Sequence, residues 1–241
     1  MYKVAIIGAG ITGLSIARWL IMYDGIEVNV IDKEPDVGWG VTKANTAIIH
    51  PCHEEDPDRH PLRSRLCLEG HNLWYEWVRE LEIPAKWPGE IIVATNYEEL
   101  KGLKKYIGFA YRIGVPGVRL IDRDEMLELD PTINPMMAAI AIAENIVDNG
   151  AKLLLGARVE DIIVENGRVV GVKTNRGTVD ADIVVNAAGL YADKISRMVG
   201  ITDYSIHPCR GQYLLFSDRV DVKPRKILHT APTPKTKAST L

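Results

Sequence analysis

Hydrophobic positions in the first 34 residues fall into three blocks of different period. Lys3 to Ile7 is a short, nearly unbroken apolar run, which predicts a strand buried on both faces. The run breaks at Gly8-Ala9-Gly10-Ile11-Thr12-Gly13, after which Leu14, Ala17 and Leu20 or Ile21 recur at helical spacing. A second apolar run, Glu27 to Ile31, ends on Asp32, 19 positions after Gly13. Strand, glycine turn, helix, strand and terminal acid follow one another as in an α/β unit.

The later pattern predicts further elements. Pro61 to Leu81 reads as an amphipathic helix with Leu62, Leu66, Gly70, Leu73, Trp77 and Leu81 on one face, and as scaffold. Glu90 to Thr95 reads as a strand, and Tyr97 to Ile113 as a helix interrupted at Gly102 and Gly108. A turn at Val115-Pro116-Gly117 leads to a strand over Val118 to Ile121, then a capping-box helix from Asp122 to Asp130. Met136 to Asn149 is apolar at helical spacing and stops at Gly150, and Ala151 to Leu155 follows as a strand. Asn166-Gly167 joins Arg158–Glu165 to Arg168–Thr174 as a hairpin, and a turn at Asn175-Arg176-Gly177 adds a third strand. Asp182 to Asn186 is another buried strand.

The glycine turn supplies the first candidate chemistry. Gly8 permits the tight turn, Gly10 admits a pyrophosphate to the backbone, and Gly13 lets the helix approach the sheet. The helix start, at Ile11 and Thr12, offers N–H groups and a positive dipole end, and Asp32 is placed to accept from ribose hydroxyls. The pattern points to a dinucleotide and does not by itself choose between FAD and NAD.

Composition narrows the class further. The 241 residues hold one large domain or two modest ones, with 46% hydrophobic and 25% charged positions. A formal charge of −3 gives no reason to expect nucleic acid. Cys52, Cys67 and Cys209 are widely spaced without a CxxC, which argues for a reducing compartment rather than a disulfide framework. The N-terminus has no basic leader or cleavage site, and no apolar stretch is long enough to span a bilayer. A cytoplasmic location, with peripheral membrane association left open, is the expectation. His50, Cys52, His53, Glu54, Glu55 and Asp56 cluster, but no second half at zinc-ligand spacing accompanies them, so no metal is expected.

Two further motifs carry a family resemblance. Gly40-Val41-Thr42-Lys43-Ala44-Asn45-Thr46-Ala47-Ile48-Ile49-His50 and Asn186-Ala187-Ala188-Gly189-Leu190-Tyr191-Ala192-Asp193 resemble the corresponding segments of the D-amino-acid-oxidase-type family of FAD-dependent oxidoreductases. The nearest groups are glycerol-3-phosphate dehydrogenases and L-2-hydroxyglutarate dehydrogenases. The resemblance implies a glutathione-reductase-type, Rossmann-like FAD-binding domain with an inserted, incomplete α+β substrate domain. Residues 1–84 and 136–203 would form the first, and 85–135 and 204–241 the second.

It also implies a cofactor set of Gly8, Gly10, Ile11, Thr12, Gly13, Asp32, Lys33, Thr42, Lys43, Asn45, Thr46, Ile49, Val159, Ala188 and Gly189, with Val159 touching adenine through its backbone. His50 would sit near the reactive face of the flavin, or serve as a structural histidine beneath the loop. His53 is the other nearby group able to exchange a proton near neutral pH. Pro208 to Phe216 resembles the family's P-x-R-G-[QE] strand, within which Arg210 would bind a substrate carboxylate or phosphate or pair within the fold.

The chain departs from the family in two places. The segment from Asp130 to Pro135 lacks an expected loop and strand. Family members also continue past the equivalent of Leu241, so Ile227 to Lys237 reads as the first limb of a hairpin without its partner, in a C-terminally truncated chain and a poor catalyst. The implied reaction is oxidation of a small anionic secondary alcohol, glycerol 3-phosphate or a 2-hydroxy acid, by hydride transfer to flavin. A quinone or another electron acceptor completes that reading. Amine or amino-acid oxidation, and a truncated non-catalytic FAD-binding fragment, are the alternatives.

Overall fold

In the computed structural model the described residues are 1–51, 53, 56–87, 89–121, 135–211 and 227–230. They fall into two compact units, Met1–Thr46 with Pro135–Tyr213, and Ala47–Asn134 with Leu214–Leu241.

The first unit is built on a parallel four-stranded sheet. Strands β1 (Tyr2–Ile7) and β2 (Ile26–Ile31) pair in register from Tyr2 with Ile26 to Ile7 with Ile31. Strand β4 (Lys152–Leu154) extends the sheet beyond β2, and β8 (Ile183–Asn186) beyond β1, giving the order β4-β2-β1-β8. The apolar runs form strands here because a parallel strand is covered on both faces. Val4, Ala5, Ile6, Ile7, Val28, Val30 and Ile31 are all buried. Each large aliphatic side chain among them contributes about 1.5–3 kcal/mol.

Alternation along β1 and β2 divides these residues between two layers. Ala5, Ile7 and Ile31 join a core cluster with Ala157, Ile162, Val172, Ala181 and Ile195. The last five come from the antiparallel meander β5 (Val159–Glu165), β6 (Arg168–Thr174) and β7 (Gly177–Asp180), the segments flanking it, and helix α5 (Ala192–Arg197). Helix α1 (Ile11–Leu20) packs on α4 (Pro135–Asp148), with Leu14, Ala17, Ala139, Ile142 and Ile146 fully buried. Across that contact the Arg18 guanidinium donates to the Asn145 side-chain oxygen. The β5–β6 turn has Asn166 at φ 50° and Gly167 at φ 75°, the left-handed pair that an Asn-Gly hairpin needs.

The second unit contains α2 (Pro61–Glu80), β3 (Glu90–Val93), α3 (Tyr97–Ile113) and β9 (Ile227–Thr230). Helix α3 runs unbroken through Gly102 and Gly108, correcting the expected interruptions. Its ends are well fixed. The Asn96 side chain accepts from Glu99 N–H at 3.0 Å, and Gly114 closes the helix at φ 82°.

Other expectations are corrected as well. Helix α2 buries Ser64 and Trp77, whereas Leu62 and Leu66 are 60% and 52% exposed, so the apolar stripe is not the packed face along its whole length. Polar and covalent anchors hold this helix together with the buried Trp77. His71 Nδ1 lies 3.0 Å from the Ile49 carbonyl oxygen, and Cys67 is disulfide-bonded. That bond also departs from the all-thiol chain that a reducing compartment implies, while Cys209 is free and exposed.

Residues 118–121 form no strand, and the Val118 carbonyl accepts from the Tyr111 hydroxyl at 2.9 Å. Strand β9, expected as the first limb of a hairpin, pairs parallel with β3 from Glu90 with Ile227 to Val93 with Thr230, and the residues after Thr230 lie outside the described residues. His207 to Gly211 are described and form no strand, which corrects the first part of the Pro208–Phe216 expectation. The rest of that segment, the 122–130 helix and the 130–135 departure, apart from Pro135, lie outside the described residues. Among the described residues no helix is long and apolar enough to cross a membrane.

Candidate functional site

The glycine turn of the first unit divides its three glycines by what surrounds them. Gly8 adopts φ 117°, and a Cβ there would lie 2.3 Å from the Ala187 carbonyl oxygen. A Cβ on Gly13 would lie 1.9 Å from the Gly8 carbonyl oxygen. These two positions are backbone packed on backbone, and they bring α1, β1 and the Ala187-Ala188-Gly189 turn together. Gly10 differs, since its Cβ would meet only Thr42 Oγ1, at 3.2 Å. Its open side is the part of the turn a ligand can approach.

The loop after β2 folds back onto this turn. Gly38 N–H donates to Ala9 O at 2.8 Å, and Ile11 N–H to the buried Thr42 Oγ1 at 3.1 Å. Asn45 donates from its side chain to Thr42 O at 2.7 Å, and Lys43 Nζ stands 3.7 Å from the Trp39 ring centroid. Thr46 is exposed. With Ile11 engaged by Thr42, the N–H groups of Gly10, Thr12 and Gly13 meet no acceptor among the described residues. Orphan donors beside a helix N-terminus, with a side-chain-free approach at Gly10, fit the diphosphate of a dinucleotide.

Asp32 stands at the end of β2 with both carboxylate oxygens engaged. Oδ2 accepts Ala9 N–H at 2.6 Å and Oδ1 accepts Glu34 N–H at 2.8 Å. Each oxygen keeps a further lone pair, so the carboxylate can brace the turn and still accept a hydroxyl. Ala157 N–H donates to Asp32 O, and Gly156 N–H to Glu34 O, both at 2.7 Å. These bonds lace the approach to Val159, at the start of β5, onto Asp32 and Glu34. Lys33 pairs with Glu34, and that hydrogen bond holds its ammonium above the usual lysine range. Its Nζ also stands 4.7 Å from the Tyr191 ring centroid. Tyr191, two residues after Gly189 (φ 53°), lies within the Asn186–Asp193 motif but is not among the residues expected to hold the cofactor.

Ile49, His50 and His53 belong to the second unit. Ile49 and His53 line a cavity of about 580 Å³ there, whereas His50 is not among its lining residues. His53 Nε2 lies 3.7 Å from Glu90 Oε2. The wall includes Tyr75 and Trp87, stacked with ring centroids 3.9 Å apart, and the cations Lys86 and Arg119. No periodicity singles out Glu90, Lys86, Trp87 or Arg119, and only the chain's path brings them together. Arg210 is in the first unit, exposed, and makes no hydrogen bond or ion pair with a described residue.

Comparison with known proteins gives a consistent family. A glycerol 3-phosphate dehydrogenase of Caloramator mitchellensis is 38% identical over 97% of this chain and 51% of its own length. The human mitochondrial L-2-hydroxyglutarate dehydrogenase is 30% identical over 93% of this chain and 53% of its own. Among solved structures, the L-proline dehydrogenase of P. horikoshii superposes with a TM-score of 0.73 at 30% identity, covering 83% of this chain and 56% of the other. The chain therefore spans about half the length of the curated relatives it matches. The family model for DAO, FAD dependent oxidoreductase, matches residues 3–239, and the chain belongs to that family, whose cofactor is FAD.

Proposed function

We propose that the protein oxidises a small anionic secondary alcohol, glycerol 3-phosphate or a 2-hydroxy acid. The observation carrying this reading is the 38% identity to the glycerol 3-phosphate dehydrogenase over 97% of the chain. FAD, when bound, supplies the acceptor for the substrate's hydride.

The chain's own residues hold and orient. Gly10, Thr12 and Gly13 offer N–H groups to the diphosphate, while Gly8 and Gly13 keep the turn closed behind it. Thr42 clamps the following loop through Ile11, and Lys43, Asn45 and Thr46 of that loop join it in holding the cofactor. Asp32 accepts a ribose hydroxyl, Lys33 lies beside it, and Val159, Ala188 and Gly189 bound the nucleotide. Ile49, a residue of the second unit, is kept in the cofactor set on the family resemblance.

In the second unit's cavity, Lys86 and Arg119 supply the positive charge that an anionic substrate needs. Arg210 is the alternative anchor. His53, in the cavity wall, takes the hydroxyl proton, with His50 as the other candidate. A quinone or another acceptor then reoxidises the protein.

The 30% identity to the L-proline dehydrogenase favours a second reading, oxidation of an amine. Anaerobic titration of the FAD-loaded protein separates the two. Bleaching of the visible flavin absorbance by glycerol 3-phosphate or 2-hydroxyglutarate supports the alcohol reading. Bleaching by proline or glycine alone replaces it with the amine reading.

A further inference from the structure

Two hydrogen bonds stitch the loop after β2 onto the glycine turn, and a long side chain follows each anchor. Gly38 N–H donates to Ala9 O at 2.8 Å, and Trp39 is the next residue. Thr42 Oγ1 accepts Ile11 N–H at 3.1 Å, and Lys43 is the next residue there. Lys43 N–H donates in turn to Gly38 O at 3.1 Å, which closes the loop on itself. Asn45 braces the far end, its side chain donating to Thr42 O at 2.7 Å.

This closure brings Lys43 Nζ to 3.7 Å from the Trp39 ring centroid. Both side chains are exposed, the tryptophan at 43%. The Lys43 ammonium makes no ion pair with a described residue, whereas Lys33, next to Asp32, is paired with Glu34. The first turn of α1 carries no acidic side chain to neutralise it either. An unrestrained lysine samples many rotamers, and ordering it when a ligand binds costs affinity. A ring face that already holds the ammonium removes part of that cost.

We propose that Trp39 is a positioning residue for Lys43, holding its ammonium beside the Gly10 approach to meet the FAD diphosphate. Thr42 ties the pair to that approach, because its Oγ1 would lie 3.2 Å from a Cβ on Gly10. The N–H groups of the turn offer hydrogen bonds but no net charge, and Lys43 adds the full positive charge that suits a diphosphate. The proposal rests on the reading of this turn as the diphosphate site.

Flavin-fluorescence titration of the 241-residue chain with FAD, repeated over a range of salt concentrations, tests it. Lys43→Met should weaken FAD binding about tenfold and flatten its salt dependence. Trp39→Leu should weaken binding about two- to fivefold, the scale of an exposed cation–π contact. Trp39→Phe keeps a ring face and should recover most of that loss. In the Lys43→Met background, Trp39→Leu should cost nothing further, because the contact it removes is already gone. An equal Trp39→Leu loss with and without the lysine would make Trp39 a part of the loop's structure alone and overturn the proposal. FAD uptake by wild type with unchanged affinity in Lys43→Met would overturn the proposal and leave the diphosphate reading standing. A wild-type chain that takes up no FAD would overturn both.

Discussion

The Asp32 carboxylate accepts the Ala9 N–H at 2.6 Å, so the acid ending β2 is bonded to the glycine turn that ends β1. One side chain therefore shapes the glycine turn and, in the proposed reading, also presents oxygen to a ribose.

Replacing Asp32 with Ala removes the acceptors of both Ala9 N–H and Glu34 N–H. FAD affinity should fall by about 1–3 kcal/mol, the scale of a charge-assisted hydrogen bond lost with its partner left buried. Flavin-fluorescence titration of the wild-type and variant proteins reads this directly. An affinity equal to wild type would remove Asp32 from the site.

The three glycines should separate folding from binding. Gly13→Ala puts a methyl 1.9 Å from the Gly8 carbonyl oxygen and must displace backbone. It should destabilise by about 1–3 kcal/mol or more, as overpacking does. Gly10→Ala meets only Thr42 Oγ1, at 3.2 Å, and should fold with a near-normal melting temperature while losing FAD affinity. Thermal melts paired with flavin titrations check both. A Gly10→Ala protein that binds FAD normally would show that the phosphate does not approach there.

The start of α3 should respond to acid. Glu99 Oε2 accepts from Thr95 N–H at 2.7 Å and from Thr95 Oγ1–H at 2.9 Å, and these bonds hold its carboxyl below the ordinary glutamate value of 4.5. A depressed folded-state value means the ionised cap stabilises fully above that ordinary value and loses its contribution as pH falls through the lower one. Denaturation of wild type and Glu99→Gln should show a stability gap at pH 6 that narrows on acidification. A gap independent of pH would contradict the assignment.

How much of this was legible in the sequence depends on the range of the interactions. The β1–α1–β2 unit was readable because its apolar runs and Gly8, Gly10 and Gly13 report local requirements. The same holds for the Asn166-Gly167 turn and for Gly150, which sits at φ 92° just beyond α4. Residues 118–121 read as a strand because an apolar run alone does not reveal that no described strand lies beside it. The packed face of α2 was misread because the anchors at His71 and Cys67 are invisible to a hydrophobic count. The pairing of β9 with β3 and the meeting of His53 with Glu90 join segments far apart in sequence, so no local pattern announces them.

The central claim is that the first unit recognises the ADP half of FAD through the turn at Gly8 to Gly13 and Asp32. Its most direct test is a competition titration of the 241-residue chain with FAD, FMN and ADP, followed by flavin fluorescence. FAD should bind, ADP should displace it, and FMN, which lacks the second phosphate and the adenosine, should bind far more weakly. Absence of FAD uptake, or FMN binding as tightly as FAD, would contradict the account.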